Sequence, residues 1–288
     1  MAVETRPKRA IVGEAGAGVR ARAHGARRMV YLYFRCLGQQ MKAIMAYEAD
    51  FVVLLLSAVI VQLAGFAVIW AIFQRIPSVN GWTFWQVVMM YALIFVTEGV
   101  GSLFFEGTWR LSSLVYTGQF DQILLRPVSP IVQVLAGAVG FNGLGNLVTG
   151  FVLIGIAVTN VPVEWTPGRL LMLAILIVSA SVIRVAINLA SAASTFWIRS
   201  PWSMVPMFVH RLGDFAKYPI TIYSIGVQAL IVVAVPFAFV SFFPTAWVFG
   251  VDAWSVPGLL TPLVAVYAVL MSVWLFRVGL RRYESSGH

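Results

Sequence analysis

Charge is what this chain is shortest of. Only 11% of its 288 residues are Asp, Glu, Lys or Arg, where a soluble domain carries about a quarter. A chain so poor in charge cannot cover itself with a water-facing surface, which excludes an ordinary soluble enzyme or binding module. Cysteine is almost missing: Cys36 stands alone, so neither an intramolecular disulfide nor a multi-cysteine metal site can form. The three histidines, His24, His210 and His288, share no local metal-ligand spacing. HExxH and GxSxG are absent, and the glycines at 13, 16 and 18 are not followed by the Gly-Lys-Ser/Thr of a phosphate loop. An intramembrane enzyme would need a convergent nucleophile or metal site that the sequence does not offer. ATP hydrolysis, if any is involved, belongs to a different chain.

What the sequence does contain is apolar length. Hydrophobic residues make up 60% of it, in runs of about 20 or more, the number a helix needs to cross the hydrocarbon. The expected fold is an all-α integral membrane protein with six transmembrane helices, near 51–73, 84–105, 131–158, 170–197, 220–243 and 259–279. The formal net charge of +9 could suggest nucleic acid, but nine of the 20 basic residues precede residue 51. With both termini inside, 17 basic residues fall on the inner side, leaving Arg75 and Arg169 outside and Arg184 within a span. That bias sets a topology with cytosolic N- and C-termini and implies no nucleic-acid partner.

Residues 1–28 form a basic tail with no apolar stripe, expected to be disordered. Residues 29–50 place Tyr33, Leu37, Met41, Ile44 and Met45 at helical spacing, which predicts an amphipathic helix lying in the membrane interface. The six-helix domain occupies 51–282, and 283–288 is a short C-terminal tail.

Three spans carry more than lipophilicity. The second has Glu98, Ser102 and Glu106 on one stripe. The third is rich in small residues, which let helix backbones approach closely, and has Asn142 and Asn146 one turn apart. The fourth carries Ser181, Arg184, Asn188, Ser191 and Thr195 as a polar seam that must face protein or water. Glu98 and Arg184 have opposite sign, and the long arginine side chain can close much of the distance between them. Such a pair would either hold the bundle together or, with Asn142, Asn146 and Asn188, line a substrate path. Near the fifth span, Pro219, Pro236 and Pro244 and a crowd of aromatics admit two readings: an interfacial belt, or a broken, re-entrant outer segment.

The polar stretch 106–130 is too long for a simple turn. Its alternation of Trp109, Leu114, Phe120 and Ile123 with Arg110, Tyr116, Gln119, Asp121 and Arg126 predicts a short amphipathic helix on the cytosolic side. GQFDQILLRP at 118–127, FAKYP at 215–219 and PFAFVSFFP at 236–244 resemble the permease subunits of ABC-2 type ABC transporters, in the group of small six-span permeases. The likeness covers about residues 29–282. It implies a bacterial cytoplasmic-membrane exporter working as a dimer of permeases, identical or homologous, with two copies of a separate ATPase that holds ATP and Mg. This chain would bind no cofactor itself. The likeness also implies that 106–130 contains the coupling helix that docks in an ATPase groove. Of the docking and anchoring set Tyr116, Gln119, Phe120, Asp121 and Arg126, Phe120 would fill the groove while Asp121 and Arg126 fix the orientation by charged hydrogen bonds. Trp109 and Pro127 would anchor that helix, beside Arg110. A mostly apolar path with a sparse polar seam favours an amphipathic or lipid-like substrate. The alternative from another class is a proton-coupled secondary carrier with Glu98 as the titrating group.

Overall fold

The computed structural model describes residues 31, 33–35, 38, 39, 42, 48–161, 163–198, 200 and 202–284. The expected basic tail, most of the expected interfacial helix at 29–50 and residues 285–288 lie outside them. Among the described residues the regular elements are helical, apart from one isolated bridge between Val79 and Trp82. Six helices frame the molecule: α1 (Glu48–Phe73), α2 (Phe84–Phe105), α3 (Asn142–Thr159), α4 (Pro167–Ala193), α5 (Met204–Leu212) and α6 (Thr261–Leu280). All but α5 are long and apolar enough to cross a membrane. The chain is a multi-pass membrane protein.

Local chemistry starts the central helices. The Thr83 N–H donates to Gln86 Oε1 at 2.9 Å before α2. Thr166 accepts from the Arg169 N–H at 3.3 Å before α4, and Pro167 occupies the first turn, where no donor is needed. α2 is the axis of the fold, with Val88, Met89, Met90, Ala92 and Leu93 fully buried. It meets α3 backbone to backbone. A Cβ on Gly143 would lie 2.7 Å from Leu103 N and 2.8 Å from Gly99 O, so only glycine permits the approach. Gly150 repeats the contact two turns on, against Val96. α4 runs between α2 and α6, while α1 leans on α3 and turns Val53, Ile60 and Val61 outward.

Two expected spans are corrected. The third, over 131–158, is two pieces: a short helix, Pro130–Leu135, and α3, with 136–141 between them. The break is tightly packed on the end of α2. The Gly140 N–H donates to Ser102 O at 2.9 Å, and a Cβ on Gly107 would collide with Val134 O. Small residues let the chain leave the helix and lie flush against the neighbouring backbone.

The fifth, over 220–243, is not one helix: 225–234 and 237–248 meet at a bend of 73°. The run along α2 is made instead by residues 203–223, much of which reads in sequence as a cytosolic loop. Ser203 Oγ donates to Trp109 O at 3.2 Å, at the end of the bundle that carries 106–130. Lys217 Nζ lies 5.7 Å from the Phe95 ring centre, part-way along α2. Asn80 Nδ2 donates to Thr221 O at 2.9 Å, at the opposite end. From there 225–234 turns back into the bundle as far as Phe237, which stacks 5.1 Å from the Arg184 guanidinium. The second arm returns to set Phe242 against Trp82, 4.9 Å between ring centres. Both arms thus start and finish at the same end. Pro236 at the tip has no N–H to continue a helix.

Candidate functional site

Two regions gather the polar chemistry. The first is the segment 106–130, built as a 3-10 turn (Glu106–Arg110) and two short helices (Leu111–Tyr116, Phe120–Leu124). One face packs inward. Phe120 is fully buried within this chain, its ring 5.4 Å from Phe196 and 5.0 Å from Tyr283. Asp121 accepts from the Tyr283 hydroxyl at 3.0 Å, and Leu111 and Val115 join the same cluster. Phe120 is therefore unavailable to a partner's groove, which corrects the expected role: it fastens the segment to the ends of α4 and α6. The other face is open. Tyr116 is 54% exposed and Leu125 85%, with Gln119, Leu124 and Arg126 also exposed.

The remaining residues of the segment are braces. Arg110 Nη1 donates to Gly137 O at 3.2 Å, across the break before α3. With Gln119 and Arg126, Arg110 lines a surface cavity of about 360 Å³, bounded on one side by Tyr33. Tyr33 donates its hydroxyl to Phe104 O and stacks on Phe105 at 5.8 Å. Burial raises the Tyr33 phenol well above its ordinary value, so it remains a donor. Trp109 presents its ring edge-on to His210, 5.3 Å between centres.

The second region begins about two helical turns further into the bundle. Glu98 and Arg184 form an ion pair, as their opposite signs allow. Arg184 is shut in, its side chain 3% exposed against 18% for Glu98. Arg184 Nη2 also faces His210 Nδ1 at 3.0 Å, and His210 Nδ1 is 3.9 Å from Glu98 Oε1. Close by, Lys217 pairs with Asp214 at 2.7 Å. Glycine makes room for the arginine: a Cβ on Gly213 would press on Arg184 Nη1.

These groups wall a cavity of about 430 Å³ between α1, α2, α3 and residues 210–217. Asn142 and Asn146 line it too, and Gln62 of α1 donates its amide to Asn146 Oδ1. Four of the five expected intramembrane candidates, Glu98, Asn142, Asn146 and Arg184, therefore come together. Asn188 does not line the cavity. It lies one turn along α4, near Gly101.

Sequence reasoning missed Gln62, His210, Asp214 and Lys217. The last three sit in a stretch whose charges and prolines read as a loop. The Asp214–Lys217 spacing was the available signal, since an i, i+3 pair of opposite sign lets charges neutralise each other along one turn.

Against known proteins, residues 59–287 match the model of a family described as ABC-2 family transporter protein. No curated protein and no solved structure matches the chain.

Proposed function

The chain belongs to the ABC-2 transporter family, and on that premise we propose that it is the membrane-spanning permease subunit of a bacterial ATP-driven exporter. Two copies of a separate ATPase subunit, with their ATP and Mg, would dock on the cytosolic ends of two permeases. The termini lie in the cytosol in this reading, and six crossings result when 203–223 counts as the fifth. The arms 225–234 and 237–248 then form a re-entrant hairpin entering from the outer face. Outward transport rests on the family likeness.

The observation that carries the reading is the two-faced segment 106–130. One side is locked by Phe120 and Asp121 to the chain's own helix ends, and the other presents Tyr116, Gln119, Leu124, Leu125 and Arg126. A rigid, half-apolar platform suits force transfer from a moving partner, because its inner face cannot slip. Ser203 on Trp109 O and Trp109 on His210 tie that platform to 203–223, so a push on it reaches the ion-paired centre. Proton-coupled carriage has less support, since Glu98 is committed to Arg184 and not free.

The test is purification of the full chain from its native membrane in mild detergent, with co-purifying proteins identified and ATP hydrolysis assayed. A stoichiometric soluble ATPase lost from Leu125→Glu or Tyr116→Ala preparations is the expected result. A stable, transport-competent assembly containing no ATPase would sink the proposal.

A further inference from the structure

The 430 Å³ cavity lies at the depth of Glu98, about 10 Å inside the loop end of α2 at the usual helical rise. Polar walls at membrane depth are expensive unless something satisfies them. One lip is α1, where Val61 is 70% exposed, and the other is residues 213–217, where the Asp214 side chain is 46% exposed. The cavity is therefore reachable sideways, between α1 and the segment that follows α5.

Its charges are already spent on each other. In the lining two carboxylates, Glu98 and Asp214, face two cations, Arg184 and Lys217, and each is paired. Arg211 also reaches Asp214, at 3.8 Å, but its side chain is largely exposed and lies outside the lining, so a ligand of either sign would find no uncompensated partner within the cavity itself. What remains unspent is neutral hydrogen-bonding capacity. The Asn142 amide has no hydrogen bond among the described residues, Gln62 Oε1 is buried without a donor, and His210 uses only Nδ1. Val61, Ile94 and Phe95 supply apolar wall between these groups.

We propose that this cavity receives the head group of an amphipathic substrate, and that the head group is uncharged and carries hydroxyl or amide groups. Its volume falls in the range of small-molecule sites and takes a single sugar-like ring. The apolar tail would remain in the bilayer between α1 and residues 213–217. The word substrate rests on the transporter reading above. Binding itself does not.

The experiment uses the full chain in nanodiscs of zwitterionic lipid. Octyl glucoside, octyltrimethylammonium and octyl phosphate are titrated separately below their micelle-forming concentrations, and the thermal unfolding midpoint is followed. The expected result is saturable stabilisation by octyl glucoside alone. Asn142→Leu, which replaces the amide by an apolar branch, should weaken it at least tenfold, and so should Val61→Trp, a change at an exposed lip that folding tolerates. Asp214→Asn leaves the wall one positive charge in excess and should shift the preference to octyl phosphate. Equal responses to the three probes, preference of the unaltered chain for a charged one, or a glucoside response indifferent to both cavity variants would overturn the proposal. No ATPase is needed, so an unaltered chain that purifies without any ATPase would refute the docking reading and leave this result standing.

Discussion

Asn80 reaches across to the carbonyl of Thr221 at 2.9 Å, joining the turn before α2 to the end of the run that began beside Trp109. With Ser203 beside Trp109 and Lys217 beside Phe95, that bond lays 203–223 along α2 from one end to the other. Thr221 belongs to the end opposite 106–130, and whatever follows it starts from there.

Single cysteines placed at 225, an exposed position, and 250 in a Cys36→Ser background should react with a membrane-impermeant maleimide from one side of sealed vesicles. A cysteine at 125 should react only from the other. Labelling of 225 and 125 from the same side would overturn the threading.

The two faces of the docking segment should separate stability from assembly. Phe120→Ala removes a fully buried ring and should cost about 3–5 kcal/mol of stability. Leu125→Glu alters a side chain that is 85% exposed and should leave the unfolding midpoint in place while abolishing ATPase co-purification. Denaturation monitored by tryptophan fluorescence, beside a pull-down, checks both.

Breaking the buried ion pair from one side strands a charge. Glu98→Gln should lower stability by about 3 kcal/mol, because Arg184 stays shut in without its carboxylate. Glu98→Leu combined with Arg184→Leu should recover much of the loss, and thermal unfolding of the single and double variants measures the coupling. Additive losses would mean that the pair does not act as a unit.

Helix contact through glycine gives a matched comparison. Gly143→Ala puts a methyl group against the Leu103 and Gly99 backbone and should destabilise by about 1–3 kcal/mol. Gly155→Ala, in the same helix with nothing within 4 Å, should be neutral or stabilise by up to about 1 kcal/mol. A similar midpoint for both would remove the close-packing argument.

Much of this molecule is legible in its sequence, and the failures have a common cause. α2 and α4 were placed within a few residues because each is a long apolar run between polar caps. The Glu98–Arg184 pair is only allowed by two lone charges of opposite sign in such runs; the structure is what brings them together. That residues 203–223 lie along α2 is not legible from hydropathy, which adds up residues one at a time. It cannot register that Asp214 and Lys217 cancel each other, or that His210 is received by Trp109 and Arg184. Phe120 reads in sequence as a docking residue for a related reason. An apolar side chain in a polar loop must bury somewhere, and only the tertiary contacts of Phe196 and Tyr283 say that it buries at home.

The bent pair 225–234 and 237–248 bears on what could cross the bundle in the exporter reading. Its tip, Phe237, backs directly onto Arg184, a wall residue of the polar cavity. In that reading a substrate held in the cavity would have this tip in front of it, and onward passage would require the cation–ring contact between Arg184 and Phe237 to be released.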